Sequence, residues 1–64
     1  MDKAETKKVV AAQLRKAASW NSTARRDIAR EDRIDALDAI DMSMRELTQA
    51  RALITATLPP ELRA

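Results

Sequence analysis

The chain has 64 residues, 45% of them apolar, with 12 Lys and Arg against 10 Asp and Glu and a net charge of +2. It contains no Cys, His or Gly. That excludes disulfides, thiolate or imidazole metal sites, Cys- and His-based catalysis and glycine-rich phosphate loops. One domain, residues 1–64, is the most this length supports, and such a core is marginal without very regular helices, self-association or a partner.

The composition is that of a helical protein. Pro is confined to Pro59 and Pro60, Trp20 is the lone aromatic, and good helix formers fill the rest. Alternating β-branched runs are missing, so no strand is expected. No EF-hand-like run of acidic ligands appears, and neither a metal nor a cofactor is expected. The apolar runs are too short for a membrane span, and the start of the chain lacks a secretory pattern, so a cytoplasmic protein is expected. Charge is uneven along the chain. Residues 1–33 carry nine cations against five acids, and residues 34–64 carry three against five. A basic half is what an anionic partner requires.

A first helix is expected over about residues 3–19, capped by Asp2, with Val9, Val10, Gln13, Leu14 and Ala17 along one face. The polar run Trp20-Asn21-Ser22-Thr23 is a candidate break, with Trp20 anchoring the corner between two helices; no Gly or Pro enforces it, and the alternative is a continuous helix through this point. A second helix is expected over 23–40, its buried stripe made by Ala29, Ala36, Leu37 and Ile40. Ser43 and Glu46 then have the Ser-x-x-Glu spacing of a capping box, which opens a third helix near Met44. That helix runs to Leu58 and stops at Pro59-Pro60, or it divides near Arg51-Ala52-Leu53. The expected architecture is an all-α unit of three helices, about 3–19, 23–40 and 44–58, oligomeric or partner-bound.

Catalysis has little to stand on. No Ser-x-x-Lys is present, and Asp35, Asp38 and Asp41 lack a pocket in which a raised pKa could serve acid–base work. A non-enzyme without a small-molecule substrate is expected. The charges of the expected second helix are nevertheless odd. Arg25 and Arg26 stand at its start and Asp35, Asp38 and Asp41 near its end, against the helix dipole. Arg26, Arg30 and Arg33 share a face as a basic stripe.

Residues 33–58 resemble helix-turn-helix segments of DNA-binding proteins from actinobacteria and their phages. Met42-Ser43-Met44-Arg45-Glu46-Leu47 matches the motif that opens the first helix there. Ala50, Leu53 and Thr57-Leu58 fall on the positions of Ala, the apolar turn residue and Thr-Val. The resemblance implies a dimeric transcription regulator, with Ser43 and Arg45 on phosphates. Gln49, Arg51, Thr55 and Thr57 would lie near the major groove, and Arg25, Arg26 and Arg30 would add salt-sensitive affinity. Departures lie at Asp41 for Gly, Ala52 for the turn Gly, Ile54 for the capping Ser, and at Pro59-Pro60. The alternative is one unbroken helix over 44–58, in which Ile34, Leu37, Met44, Leu47, Ile54 and Leu58 form an apolar ladder of nearly heptad period. That ladder suits a protein-interaction module: antitoxin-like, a phage-encoded inhibitor or an assembly adaptor.

Overall fold

The computed structural model describes residues 2–63. It contains two long helices, α1 (Lys3–Ala29) and α2 (Arg33–Thr57), followed by a short 3₁₀ turn at Pro60–Leu62. The two helices pack side by side as an antiparallel hairpin about 40 Å long, the length expected at 1.5 Å per residue. The three-helix expectation is therefore corrected: neither the break at 20–23 nor the one at 41–43 exists.

The physical reasons are local. Trp20 to Thr23 contain neither Gly nor Pro, and the Thr23 hydroxyl donates to the Ser19 carbonyl one turn back, at 3.2 Å. That bond is compatible with a continuous helix. Ser43 opens no helix. Its hydroxyl crosses the hairpin and donates to the Ala17 carbonyl at 3.1 Å. No turn occurs at Ala52, and α2 runs unbroken to Thr57.

The true turn lies at Arg30–Asp32. The Asp32 N–H reaches the Asp27 carbonyl at 2.8 Å and the Glu31 N–H reaches the Ile28 carbonyl at 3.0 Å. This pair of bonds is a Schellman closure, with Glu31 at its left-handed position, φ 60°. Asp32 then caps α2 by accepting from the Asp35 N–H at 3.2 Å. Asp2 caps α1 in the same way, accepting from the Glu5 N–H at 2.7 Å. With the turn placed here, Arg26 lies in the last turn of α1 and Asp35 in the first turn of α2. Both suit the dipole, so the charge conflict disappears. At the other end, Arg63 donates to the carbonyls of Leu58 and Ala56, at 3.0 and 2.9 Å, and satisfies free acceptors at the end of α2.

The seam between the helices follows a 3-4 spacing on both sides. In α1 it comprises Thr6, Val10, Gln13, Ala17, Trp20, Ala24 and Asp27, all buried or half-buried. In α2 it comprises Ala36, Ala39, Ser43, Glu46, Ala50 and Leu53. This is the period of an antiparallel coiled coil, with small residues at most of the deepest positions. The buried apolar residues are all alanines: Ala17, Ala24, Ala36, Ala39 and Ala50. Such a seam lets the helix axes approach to the close end of the usual range, about 8 Å. Gln13 opposite Gln49, with Nε2 donating to Oε1 at 3.1 Å, fixes the register together with Ser43 on Ala17.

Candidate docking face

Burial divides α2 into two parallel rows. The seam row is Ala36, Ala39, Ser43, Glu46, Ala50 and Leu53. The residue following each of these forms a second row: Leu37, Ile40, Met44, Leu47, Arg51 and Ile54. Leu58 extends it, half-buried at the helix end. The second row has the same 3-4 spacing but is large and apolar except at Arg51. It is also exposed, with Leu37 at 61%, Met44 at 59% and Leu47 and Ile54 at 47%. A row this regular is what a helix shows when it packs against two neighbours rather than one.

Part of α1 borders the same face. Leu14, Ala18 and Asn21 line a shallow groove with Leu47 and Ser43. Leu14, Ala11, Val10, Lys7 and Lys3 line its continuation beside Ile54 and Thr57. The α1 side of the groove is thus low at Ala11 and Ala18, whereas the α2 side is high. By helical spacing Lys7, Arg25 and Arg51 border this face, and the nearest acid, Asp41, sits outside it.

The energetics favour covering the face. Five buried alanine methyls contribute on the order of 4 kcal/mol. Leu37, Ile40, Met44, Leu47 and Ile54 are between 42% and 61% exposed. Burying the remainder is worth on the order of 1 kcal/mol for each. The apolar free energy available on this face is thus comparable to what the five buried alanines contribute to the seam.

The acidic groups lie elsewhere. Asp27, Asp32, Asp35 and Asp38 gather at the turn end, and Trp20, Thr23 and Ala39 share a cleft with Asp27, Asp35 and Asp38. The Asp35 carboxyl titrates above its ordinary range, first through its hydrogen bond with the Asp32 side chain, then through the charge of Asp32, with smaller effects of desolvation, Asp27 and Asp38. Among the described residues no group of three or more potential ligands is placed to hold a metal ion.

The residues singled out in the sequence are distributed as follows. Leu37, Met44, Leu47 and Ile54 belong to the exposed row, with Leu58 at its end. Ile34, in the first turn of α2, is 74% exposed and lies round the helix from that row. The stripe assigned to the interior is corrected: Ala36 is buried, but Ala29, Leu37 and Ile40 are exposed. In α1, Val10, Gln13 and Ala17 join the seam while Val9 and Leu14 stay largely outside it. Trp20 is half-buried in mid-helix rather than at a corner.

The candidate nucleic-acid contacts do not converge. Arg25, Arg26 and Arg30 are exposed near the end of α1, and Arg26 also donates to the Thr23 hydroxyl at 3.4 Å. Arg33 falls on the other helix, so the stripe of Arg26, Arg30 and Arg33 is interrupted by the turn. Arg51 lies about 20–30 Å from them along the hairpin, by helical rise. Ser43 is engaged in the seam, Gln49 with Gln13, and the Thr57 hydroxyl with the Ile54 carbonyl. Arg45 is exposed and Thr55 half-buried.

Sequence reasoning missed Ile40 as an exposed residue and missed Ala11, Leu14 and Ala18 altogether as parts of this face. The doubled 3-4 ladder of α2 was the signal that could have found them. No described helix is long and apolar enough to cross a membrane. No protein-family model, curated protein or solved structure matches this chain.

Proposed function

We propose that this protein is a non-enzymatic, helical protein-interaction module that docks through the face formed by Leu37, Ile40, Met44, Leu47 and Ile54. A single observation carries the proposal: the fully buried apolar residues of the hairpin are alanines, while Leu37, Ile40, Met44, Leu47 and Ile54 stay exposed in a second ladder of coiled-coil period. Monomeric proteins rarely leave so continuous an apolar strip uncovered, and such strips mark interaction sites. Helix-in-groove recognition uses this spacing. A homo-oligomer is the simplest assembly of this kind.

The test is binding of an apolar fluorescent dye by dilute, folded protein, compared with Leu47→Glu and Ile54→Glu. Dye binding by the wild type that both variants lose, at unchanged helicity, supports docking. A wild type that binds no dye would remove its basis.

A second reading is DNA contact through the exposed Arg25, Arg26, Arg30, Arg45 and Arg51. It is favoured by the basic balance of residues 1–33. With α2 unbroken, such contact would go to phosphates rather than through a recognition helix after a turn. It weakens steeply as salt rises, and Leu47→Glu would alter it only through the added charge.

A further inference from the structure

We infer that the occupant of this face is a second copy of the same chain, forming a two-fold four-helix bundle with both turns at the same end. The inference rests on the docking reading above and names its partner.

Surface area is the first argument. The chain exposes 5252 Å². A compact monomer of 7.2 kDa exposes about 4,100 Å². The excess, about 1,100 Å², exceeds by about a third the roughly 800 Å² that each partner contributes to a stable interface. One additional hairpin is therefore enough to account for the surface that this fold leaves open.

Shape is the second argument. The face is uneven, high along α2 and low along α1 at Ala11 and Ala18. A partner must be high where this surface is low. A second copy rotated about the long axis of the hairpin supplies that relief, because its α2 then lies over the first copy's α1. The register set by Gln13 with Gln49 and Ala17 with Ser43 places Met44 of one copy over Ala18 of the other and Leu47 against Leu14. Arg51 falls over Ala11, and every neighbouring helix pair is antiparallel, as in short-looped four-helix bundles.

The same relief decides the orientation. In this arrangement Lys7 lies by Ile54 of the second copy and Arg25 by Leu37, so each long cationic stem rests on aliphatic surface with its head in water. The opposite arrangement, turn over open end in full overlap, stacks α1 on α1 and α2 on α2, low side on low side and high side on high; charge does not separate the two, since one puts Lys7 against Arg25 and the other puts Lys7 one turn from Arg51. Because Lys7, Arg25 and Arg51 gather around the shared face, salt screens their repulsion and strengthens the dimer. DNA contact responds to salt in the opposite sense.

The experiment is sedimentation equilibrium across the micromolar range at low and high salt, joined to distance measurement between spin labels on Arg30→Cys, a position that is exposed and beside the turn. The expected result is a monomer–dimer equilibrium with a micromolar dissociation constant that falls as salt rises. Leu47→Glu, at an exposed position, should weaken it by about 100-fold or more. The labels should lie within about 20 Å of one another, two helix widths.

A chain that stays monomeric at submillimolar concentration in both salts overturns the inference. So does a label separation near the 45 Å length of the molecule. The dye experiment separates the two failures. A monomer that binds dye has a docking face for a different protein, whereas a monomer that binds none has no docking face.

Discussion

Glu31 holds the left-handed position of the interhelical turn, at φ 60°. For a residue with a Cβ that conformation costs about 1–2 kcal/mol. Glycine adopts it freely but loses about 0.5–1 kcal/mol more backbone entropy on folding. Glu31→Gly should therefore stabilise the hairpin by a net amount on the order of 0.5–1 kcal/mol. For a chain this short that raises the midpoint by about 4–7 °C. Glu31 also stands beside the acidic cluster of Asp27, Asp32, Asp35 and Asp38, so its removal acts through charge as well. Glu31→Gln isolates that effect, because Gln keeps the strained backbone. Thermal unfolding followed by circular dichroism, at one protein concentration for all variants, should rank Gly above Gln and place Asn, which tolerates this conformation, between them. A Gly variant no more stable than the Gln variant would refute the assignment of the turn to residues 30–32.

Three further outcomes follow from the same geometry. Ala39→Leu forces a large side chain into the seam and should cost about 1–3 kcal/mol in urea unfolding, whereas Ala52→Leu, on the exposed side of α2, should change stability by less than about 0.5 kcal/mol. Ser43→Ala loses one cross-hairpin hydrogen bond and should cost no more than about 1.5 kcal/mol. Its far-UV spectrum should keep full helicity, which a residue that opened a helix would not allow. Asp35→Asn should change stability more favourably at neutral pH than in acid. The Asp35 carboxyl titrates above 3.8 because it faces Asp32, so the folded state holds its proton more tightly than the unfolded chain does. Stability from this group is present in acid and lost as pH rises through that range. The effect of the substitution should accordingly become less favourable as pH falls through the same range; an equal effect at pH 3 and pH 7 would contradict the cause given for the shift.

Helical class was legible in the sequence because it follows from composition: no Gly, late Pro and abundant helix formers. The N-cap at Asp2 was legible for the same kind of reason, since a cap is decided within four residues. The number of helices was not. Asn21-Ser22-Thr23 and Ser43-x-x-Glu46 are genuine capping sequences by type. A polar residue that can cap can also ride on a helix surface or bond across a seam, as Thr23 and Ser43 do, and only the neighbouring helix decides which. The real turn was hidden because its left-handed position holds Glu rather than Gly. Its trace lay in the charges: Arg25 and Arg26 before it and Asp35 after it are misplaced for a helix spanning 23–40 and well placed for two helices meeting at 30–33. The buried stripe was not legible because it depends on where the turn falls. The stripe Ala29, Ala36, Leu37 and Ile40 follows helical spacing within 23–40, but the true turn at 30–32 resets the face, so that Ala36 is buried while Ala29, Leu37 and Ile40 are exposed. The ladder of Leu37, Met44, Leu47 and Ile54 was visible in the sequence. That it lies outside a complete seam is a tertiary fact.

The most direct test of the two-row account is thiol reactivity, which is clean here because the chain has no cysteine. Ala50→Cys places a thiol in the seam and Met44→Cys places one in the exposed row. The expected result is slow alkylation at position 50 at every protein concentration. At position 44 alkylation should be fast in dilute solution and slow as concentration rises and the second copy covers the row. Fast alkylation at both positions, or protection at position 44 in dilute solution, would contradict the division of α2 into a closed seam and an open docking row.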